Sequence, residues 1–334
     1  EKIECGISWH DLPKPPLNIK KIFTAAALIN QINPEILLLN NCSLLHYALP
    51  LLNSSIKSIA VLHSNDPYFY DIASLFPHRI SHWIAPAYGL QKEFKRYLPK
   101  KYSGNISVIP HGINTDIFKP NEIASTNKCI HKISFVGFVA HNKGADLLPD
   151  IIRKVIEVHS SAQFTIVGYG PLRERLEEQL REKDVIKNCT FTGPLSNHAV
   201  ALVLRNSDIF LLPTRIEGFG LVIAEAMMSG AVPVVTRLPG VTDTIVTDKQ
   251  SGLLVDLDHV DNFSSAIINL LSNRDNLILM KRNALLVARK KFKLSRMIND
   301  YEKLFAMADD RSIVPRRHST GWFFETMREM MRKD

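Results

Sequence analysis

No apolar run in the 334 residues approaches the roughly 18 needed to cross a bilayer as a helix. The longest near-candidate, IFTAAALI from Ile22 to Ile29, is far shorter and reads as a packed helix. Cysteine is scarce and scattered: Cys5, Cys42, Cys129 and Cys189 stand singly, a spacing that fits neither a zinc site nor a disulfide scaffold. Buried free thiols in a reducing compartment are the simpler reading. The first residue is Glu rather than Met, and no signal-peptide pattern follows. The glycosylation triplets that begin at Asn41, Asn53, Asn105, Asn188 and Asn262 therefore read as chance, and the expected compartment is the cytoplasm. There is no internal repeat, no low-complexity tract, and no RNP, finger or Arg-rich stretch that would mark a nucleic-acid binder.

Apolar residues make up 46% of the chain and charged residues 22%, enough to bury true cores in two domains of ordinary size. The net charge is +8, which leaves an anionic membrane or a phosphorylated ligand as partners to consider. Short β-rich runs alternate with helical patterns almost throughout. In the second half the expected strands are 132–139, 163–168, 189–193, 209–214, 232–236 and 251–256; in the first, 35–40, 58–63, 81–87 and 106–110. They are nearly continuous in apolar residues, as strands of a parallel sheet covered on both faces must be. The fold class is α/β, with doubly wound domains. The polar, aperiodic stretch 111–131 is expected to be a hinge, and three helical segments follow residue 259.

In such sheets ligands bind outside the carboxyl ends of the strands, where helix N-termini offer N–H groups to phosphate. Three loops there carry the right residues: Gly137 with Lys143 and Gly144, Gly168 with Gly170, and Gly218 with Gly220. Glu225 stands about a turn and a half into the helix after Gly220, among Val222, Ile223, Ala226 and Met227. A carboxylate buried there without a partner would cost several kcal/mol. It would be satisfied by the vicinal hydroxyls of a ribose; by spacing alone it could equally face solvent. Glu217, in the turn, could reach further hydroxyls of the same ligand.

The stretch EGFGLVIAEAMMSGAVPVV, together with FVGFVAHNKGADLL, IVGYGPLRERLE, SGLLVD and VIPHGINTDIFKP, resembles the retaining GT-B glycosyltransferases of family 4. The resemblance runs from residue 106 to about 305 and continues more loosely upstream. It implies two Rossmann-like domains facing across a cleft: 1–120 on the acceptor side, 121–300 for the nucleotide sugar, and 301–334 as a helical tail. It implies that Glu225 holds the donor ribose, that Glu217 bonds the donor sugar, and that Lys143 neutralises the leaving diphosphate. The turn Gly218, Phe219, Gly220 and Leu221 would meet the sugar and diphosphate. Gly137, Gly168 and Gly170 would let the backbone pass close to the nucleotide, and His63 would face the sugar from the first domain. No metal and no cofactor are implied, since the nucleotide diphosphate sugar is a substrate. The acceptor would be a sugar, a lipid-linked sugar or a polysaccharide.

Two departures stand out. The family usually has Arg directly after the Gly of FVG, where this chain has Phe138, and the loss of such a cation costs ~2–4 kcal/mol in a transition state. Arg215 or Arg237 is a candidate replacement. The family's opening strand and Gly-rich loop are also not found before residue 32, so roughly the first third of the first domain is expected to be missing. Asp256 to Asp258 spells a metal signature of another transferase fold, but its place between strand and helix suits a turn and N-cap. The tail 316–334 mixes Arg and Lys with Trp322, Phe323, Phe324 and three Met; it suits either the inner face of an anionic membrane or packing against the first domain. The expected activity is transfer of a sugar with retained configuration. The alternatives are a degenerate sugar-nucleotide-binding module, a nucleotide-sugar epimerase, or a phosphorylase that would carry a covalent pyridoxal group.

Overall fold

The computed structural model describes residues 2–4, 7–9, 12, 17–121 and 131–310. Cys5, Cys129 and the basic tail 316–334 lie outside the described residues, as does 122–130 of the expected hinge. The chain divides into two compact units. The described residues of the first lie within Glu1–Ala85, Gln91–Val108 and Glu302–Asp334; those of the second lie within Pro86–Leu90 and Ile109–Tyr301.

The first unit holds a short antiparallel hairpin, β1 (Lys2–Glu4) with β2 (Ile7–Trp9), and a four-stranded parallel sheet. The sheet runs β3 (Ile36–Asn40), β4 (Lys57–Val61), β5 (Ile80–Ala85), β6 (Ile106–Val108), in chain order. These are the four strands expected from the sequence; the hairpin was not. Helices α1 (Ile19–Ile32), α2 (Ser43–Ala48) and α3 (Pro67–Ala73) lie between the strands, and α4 (Tyr88–Phe94), whose residues up to Leu90 belong to the second unit, follows β5. Asn18 starts α1 by accepting from the Lys21 N–H, and Asn33 ends it in the left-handed conformation. The core is aromatic: Trp83, Tyr70 and Phe94 are fully buried, and the Trp83 indole donates to the Ala73 carbonyl at 2.8 Å.

The second unit is a six-stranded parallel sheet in the order β12-β11-β10-β7-β8-β9. The strands are β7 (Lys132–Val136), β8 (Gln163–Val167), β9 (Cys189–Gly193), β10 (Ile209–Leu212), β11 (Val232–Thr236) and β12 (Leu253–Val255). Every residue of β10 and β11 is buried, as their apolar runs require of strands covered on both faces. The crossovers are α5 (Leu148–Val158), α6 (Arg173–Glu182), α7 (Asn197–Asn206), α8 (Leu221–Met228) and the short α9 (Thr242–Ile245). Helices α10 (Val260–Ser272) and α11 (Arg274–Lys291) follow, and then α12 (Leu294–Asp310), whose residues from Glu302 belong to the first unit. The order reverses at β7, which sits between β8 and β10, so the loops after these three strands meet at a switch point.

Residues 111–121, the described part of the expected hinge 111–131, are tied down within the second unit. The Ile113 N–H donates to the Phe292 carbonyl at 2.7 Å, and Leu294 returns a bond to Ile113 at 3.1 Å. Arg205 donates to the carbonyls of Lys119 and Ile117 at 2.9 and 3.2 Å. Polar composition marked the segment as irregular, but its backbone groups find partners in α7 and in the junction of α11 with α12.

At the carboxyl edge, backbone lies on backbone. A Cβ at Gly168 would collide with the Gly137 carbonyl oxygen, one at Gly170 with that of Val139, and one at Gly144 with that of Pro213. Gly168 also takes φ +127°, a conformation that L side chains rarely adopt. We expect Gly168→Ala to destabilise the protein by on the order of 2–4 kcal/mol in chemical denaturation, because the strain and the collision add.

Candidate active site

The loop after β7 and the loop after β10 are joined by hydrogen bonds. The Arg215 N–H donates to the Asn142 carbonyl at 2.9 Å, and the Thr214 hydroxyl lies 3.1 Å from the carbonyls of both Asn142 and Ile216. Gly144, left-handed at φ +69°, lets the first loop settle on Pro213 at the end of β10. This seam brings Lys143 and Glu217 together: Nζ lies 2.6 Å from Oε1 and 3.4 Å from the Ile216 carbonyl. Seventy-four positions separate the two residues, so spacing gave no hint of the pair.

Beyond Glu217 the chain turns through Gly218 and Phe219 to Gly220, which takes φ +91° and stands at the N-terminus of α8 without a side-chain cap. The N–H groups of Gly218, Phe219 and Gly220 donate to nothing among the described residues. They are available to an anion, with the helix N-terminus behind them. The Phe219 ring is buried, edge-on to His111 at 5.3 Å and to Phe292 at 5.7 Å. Its side chain therefore anchors the turn, and only its backbone can serve a ligand. The Leu221 side chain, in contrast, is exposed.

Glu225 sits on α8 with Ile223, Ala224, Ala226, Met227 and Met228 buried around it. Burial pushes its carboxyl up to about 7. Among the described residues it makes no hydrogen bond and no ion pair. A half-buried carboxyl without a partner is costly to keep.

The glycines expected to approach a nucleotide have an internal reason as well. The Gly137 N–H donates to Val167 at 3.0 Å, Val139 to Tyr169 at 2.8 Å, and Gly168 to Gly193 at 2.9 Å, so the loops after β7, β8 and β9 are laced together. From this lacing Phe138 projects, 43% exposed, edge-on to Tyr169, which is 63% exposed; the ring centroids are 5.4 Å apart. Tyr169 was not foreseen, although its place between two glycines after a strand marked it as displayed.

The two arginines considered as substitutes for the missing cation are engaged elsewhere. Arg215 donates to both Asp146 oxygens at 2.7 and 2.9 Å and meets Asp258 at 2.7 Å; Arg237 meets Asp248 at 2.6 Å. Burial alone would raise the Asp146 carboxyl, but the hydrogen bonds and charge of Arg215 hold it below the usual carboxylate range. Asp258 is not the N-cap that the sequence suggested. It takes φ +60°, and His259 occupies that position without a side-chain cap. Among the described residues no group of three or more His, Cys, Asp or Glu is placed to hold a metal.

His63 belongs to the first unit, just after β4. Its Nε2 lies 2.8 Å from Asn40 Oδ1, and burial lowers its pKa, which favours the neutral imidazole at pH 7.

The raised Glu225 pKa fixes a sign. The unfolded chain ionises this group near 4.5 and the folded chain near 7, so stability falls as pH rises through that window and stays low above it. Glu225→Gln should stabilise the ligand-free protein at pH 8 by on the order of 1–3 kcal/mol, and the gain should vanish by pH 4. Urea denaturation at the two pH values measures it.

Comparison with known proteins bears on the family and the fold. The family described as "Glycosyl transferases group 1" matches residues 114–286, just over half of the chain. A 2-deoxystreptamine N-acetyl-D-glucosaminyltransferase of Niallia circulans is 29% identical over 42% of this chain and 36% of its own length. A GDP-mannose-dependent alpha-(1-6)-phosphatidylinositol monomannoside mannosyltransferase of Mycobacterium tuberculosis is 27% identical over 53% of this chain and 50% of its own. The match thus spans half or less of the length of these curated relatives. Among solved structures, Anabaena HepE in complex with UDP and glucose superposes with a TM-score of 0.74 at 15% identity, covering 86% of this chain and 82% of that one. The likeness is one of fold, the GT-B fold that the sequence motifs implied. With two parallel α/β sheets, a switch-point site and a family match over most of the second unit, the chain belongs to the glycosyl transferases group 1 family.

Proposed function

We propose that the protein transfers a sugar from a nucleotide diphosphate sugar to an acceptor hydroxyl with retention of anomeric configuration, in glycan or glycolipid synthesis. The observation that carries this reading is Glu225, an unpartnered half-buried carboxyl in the helix that begins at the uncapped Gly220. In this reading the ribose diol bonds Glu225, and the diphosphate meets the N–H groups of Gly218 to Gly220 and Lys143. The donor sugar bonds Glu217. Charge grows on the diphosphate as the glycosidic bond breaks, and fixed dipoles aimed at it stabilise the transition state more than the ground state. The acceptor hydroxyl, on a sugar, a lipid-linked sugar or a polysaccharide, attacks from the face that the diphosphate leaves. His63 is proposed to meet the sugar from the first unit. The names of the similar proteins, two of them sugar transferases and one a complex with UDP and glucose, support the ligand class.

A second reading, a sugar-nucleotide-binding module without turnover, draws on Phe138, which brings an apolar ring where the family usually has a cation. A thermal-shift panel of UDP, GDP, ADP and their sugars identifies the ligand, because binding to the folded state alone raises its stability. With the ligand so found, Glu225→Ala should weaken binding by about 1.5–3 kcal/mol in calorimetry, the loss of a charged hydrogen-bond partner. Phe138→Arg should raise single-turnover transfer about tenfold if ~1.4 kcal/mol of charge stabilisation is restored. An equally inactive parent and variant would favour the module.

A further inference from the structure

Lys143 does not stand as a free cation. Its ammonium is 2.6 Å from a Glu217 oxygen, with the two side chains only 23% and 10% exposed. The two loops that carry the pair are fastened to each other: Thr214 bonds the Asn142 and Ile216 carbonyls, and Gly144 is pressed against Pro213. Any diphosphate that takes Lys143 must therefore share it with Glu217 or leave that carboxylate buried without its counter-charge, beside a second anion. Both outcomes oppose binding. Arg215, held by Asp146 and Asp258, and Arg237, held by Asp248, are not placed to relieve the conflict.

A sugar joined to the diphosphate changes the balance. Its hydroxyls are donors, and placed at Glu217 they replace the hydrogen bond that Lys143 gives up. A bare nucleoside diphosphate brings no such donor. On the reading of the site given above, we infer that the Lys143–Glu217 pair is a selectivity element. It admits a diphosphate that carries a sugar and works against the same diphosphate without one. In a transferase the second species is the product, so the pair favours loading of donor and release of what remains after transfer. Glu217 thereby acts on the diphosphate through Lys143, as well as on the sugar directly.

The test is calorimetric titration of the full chain with UDP and UDP-glucose, or with whichever nucleoside diphosphate and sugar conjugate the thermal-shift panel selects. Glu217→Gln keeps the side-chain shape and removes the charge. It should tighten the bare diphosphate by about tenfold while leaving the conjugate unchanged or weaker, so that the affinity ratio moves by tenfold or more. In Lys143→Met the same Glu217→Gln change should give a clearly smaller gain, since only the direct repulsion between Glu217 and the diphosphate is then relieved; the double variant leaves neither charge unpaired and guards against misfolding of the single one. A ratio unchanged by Glu217→Gln, or a gain undiminished without Lys143, overturns the inference while the nucleotide site stands. If no nucleotide binds either the parent or Glu217→Gln, the reading of the site falls, and the inference falls with it.

Discussion

The second unit depends on close contact between main chains at the carboxyl edge of its sheet. Gly144 lies on Pro213, Gly168 on Gly137 and Gly170 on Val139, each at a distance that no Cβ would permit. These contacts join the loops after β10, β7 and β8 into one surface and satisfy their backbone groups, which would otherwise be orphaned. Lys143 and Glu217 meet because that surface exists. So does the exposed pair of Phe138 and Tyr169, carried on neighbouring loops. Glycine at these positions thus has a structural reason that holds whether or not a ligand is present.

Against this rigid edge, α8 carries a local cost. The Glu225 carboxyl is desolvated and unpartnered among the buried apolar side chains of its helix, and the turn before it leaves N–H groups unused. Natural cores rarely tolerate either feature. The surrounding packing offsets the cost: Phe219 is wedged between His111 and Phe292, and β10 and β11 are wholly buried behind the helix. The unit spends stability where it presents unsatisfied groups and recovers it directly beneath them.

The sheets were legible because buried parallel strands are apolar runs, and ten of these were found with only small errors at their ends. Glu225 was legible for the opposite reason, an acid out of place among apolar neighbours. What the sequence hid were contacts between distant residues. Nothing near Lys143 announces Glu217, and nothing near Arg215 announces Asp146 and Asp258, so both arginines looked free to serve a ligand. The segment 111–121 read as a linker because irregular backbone held by carbonyls and N–H groups leaves no periodic trace. The Asp258 cap failed because a left-handed residue was needed there, and Asp is one of the few side chains that accept that conformation.

Because the edge is built from backbone and glycine, its shape is separable from what it displays. The side chain at 138 contributes to none of the hydrogen bonds that lace the loops; Gly137 and Val139 on either side do that work through their main chains. The Phe138 ring meets the Tyr169 ring, and both side chains are exposed, so what these two positions display is set apart from the backbone that carries them. The architecture thus resembles a socket with interchangeable contacts, in which new ligand preferences can be sampled one residue at a time without putting the fold at risk.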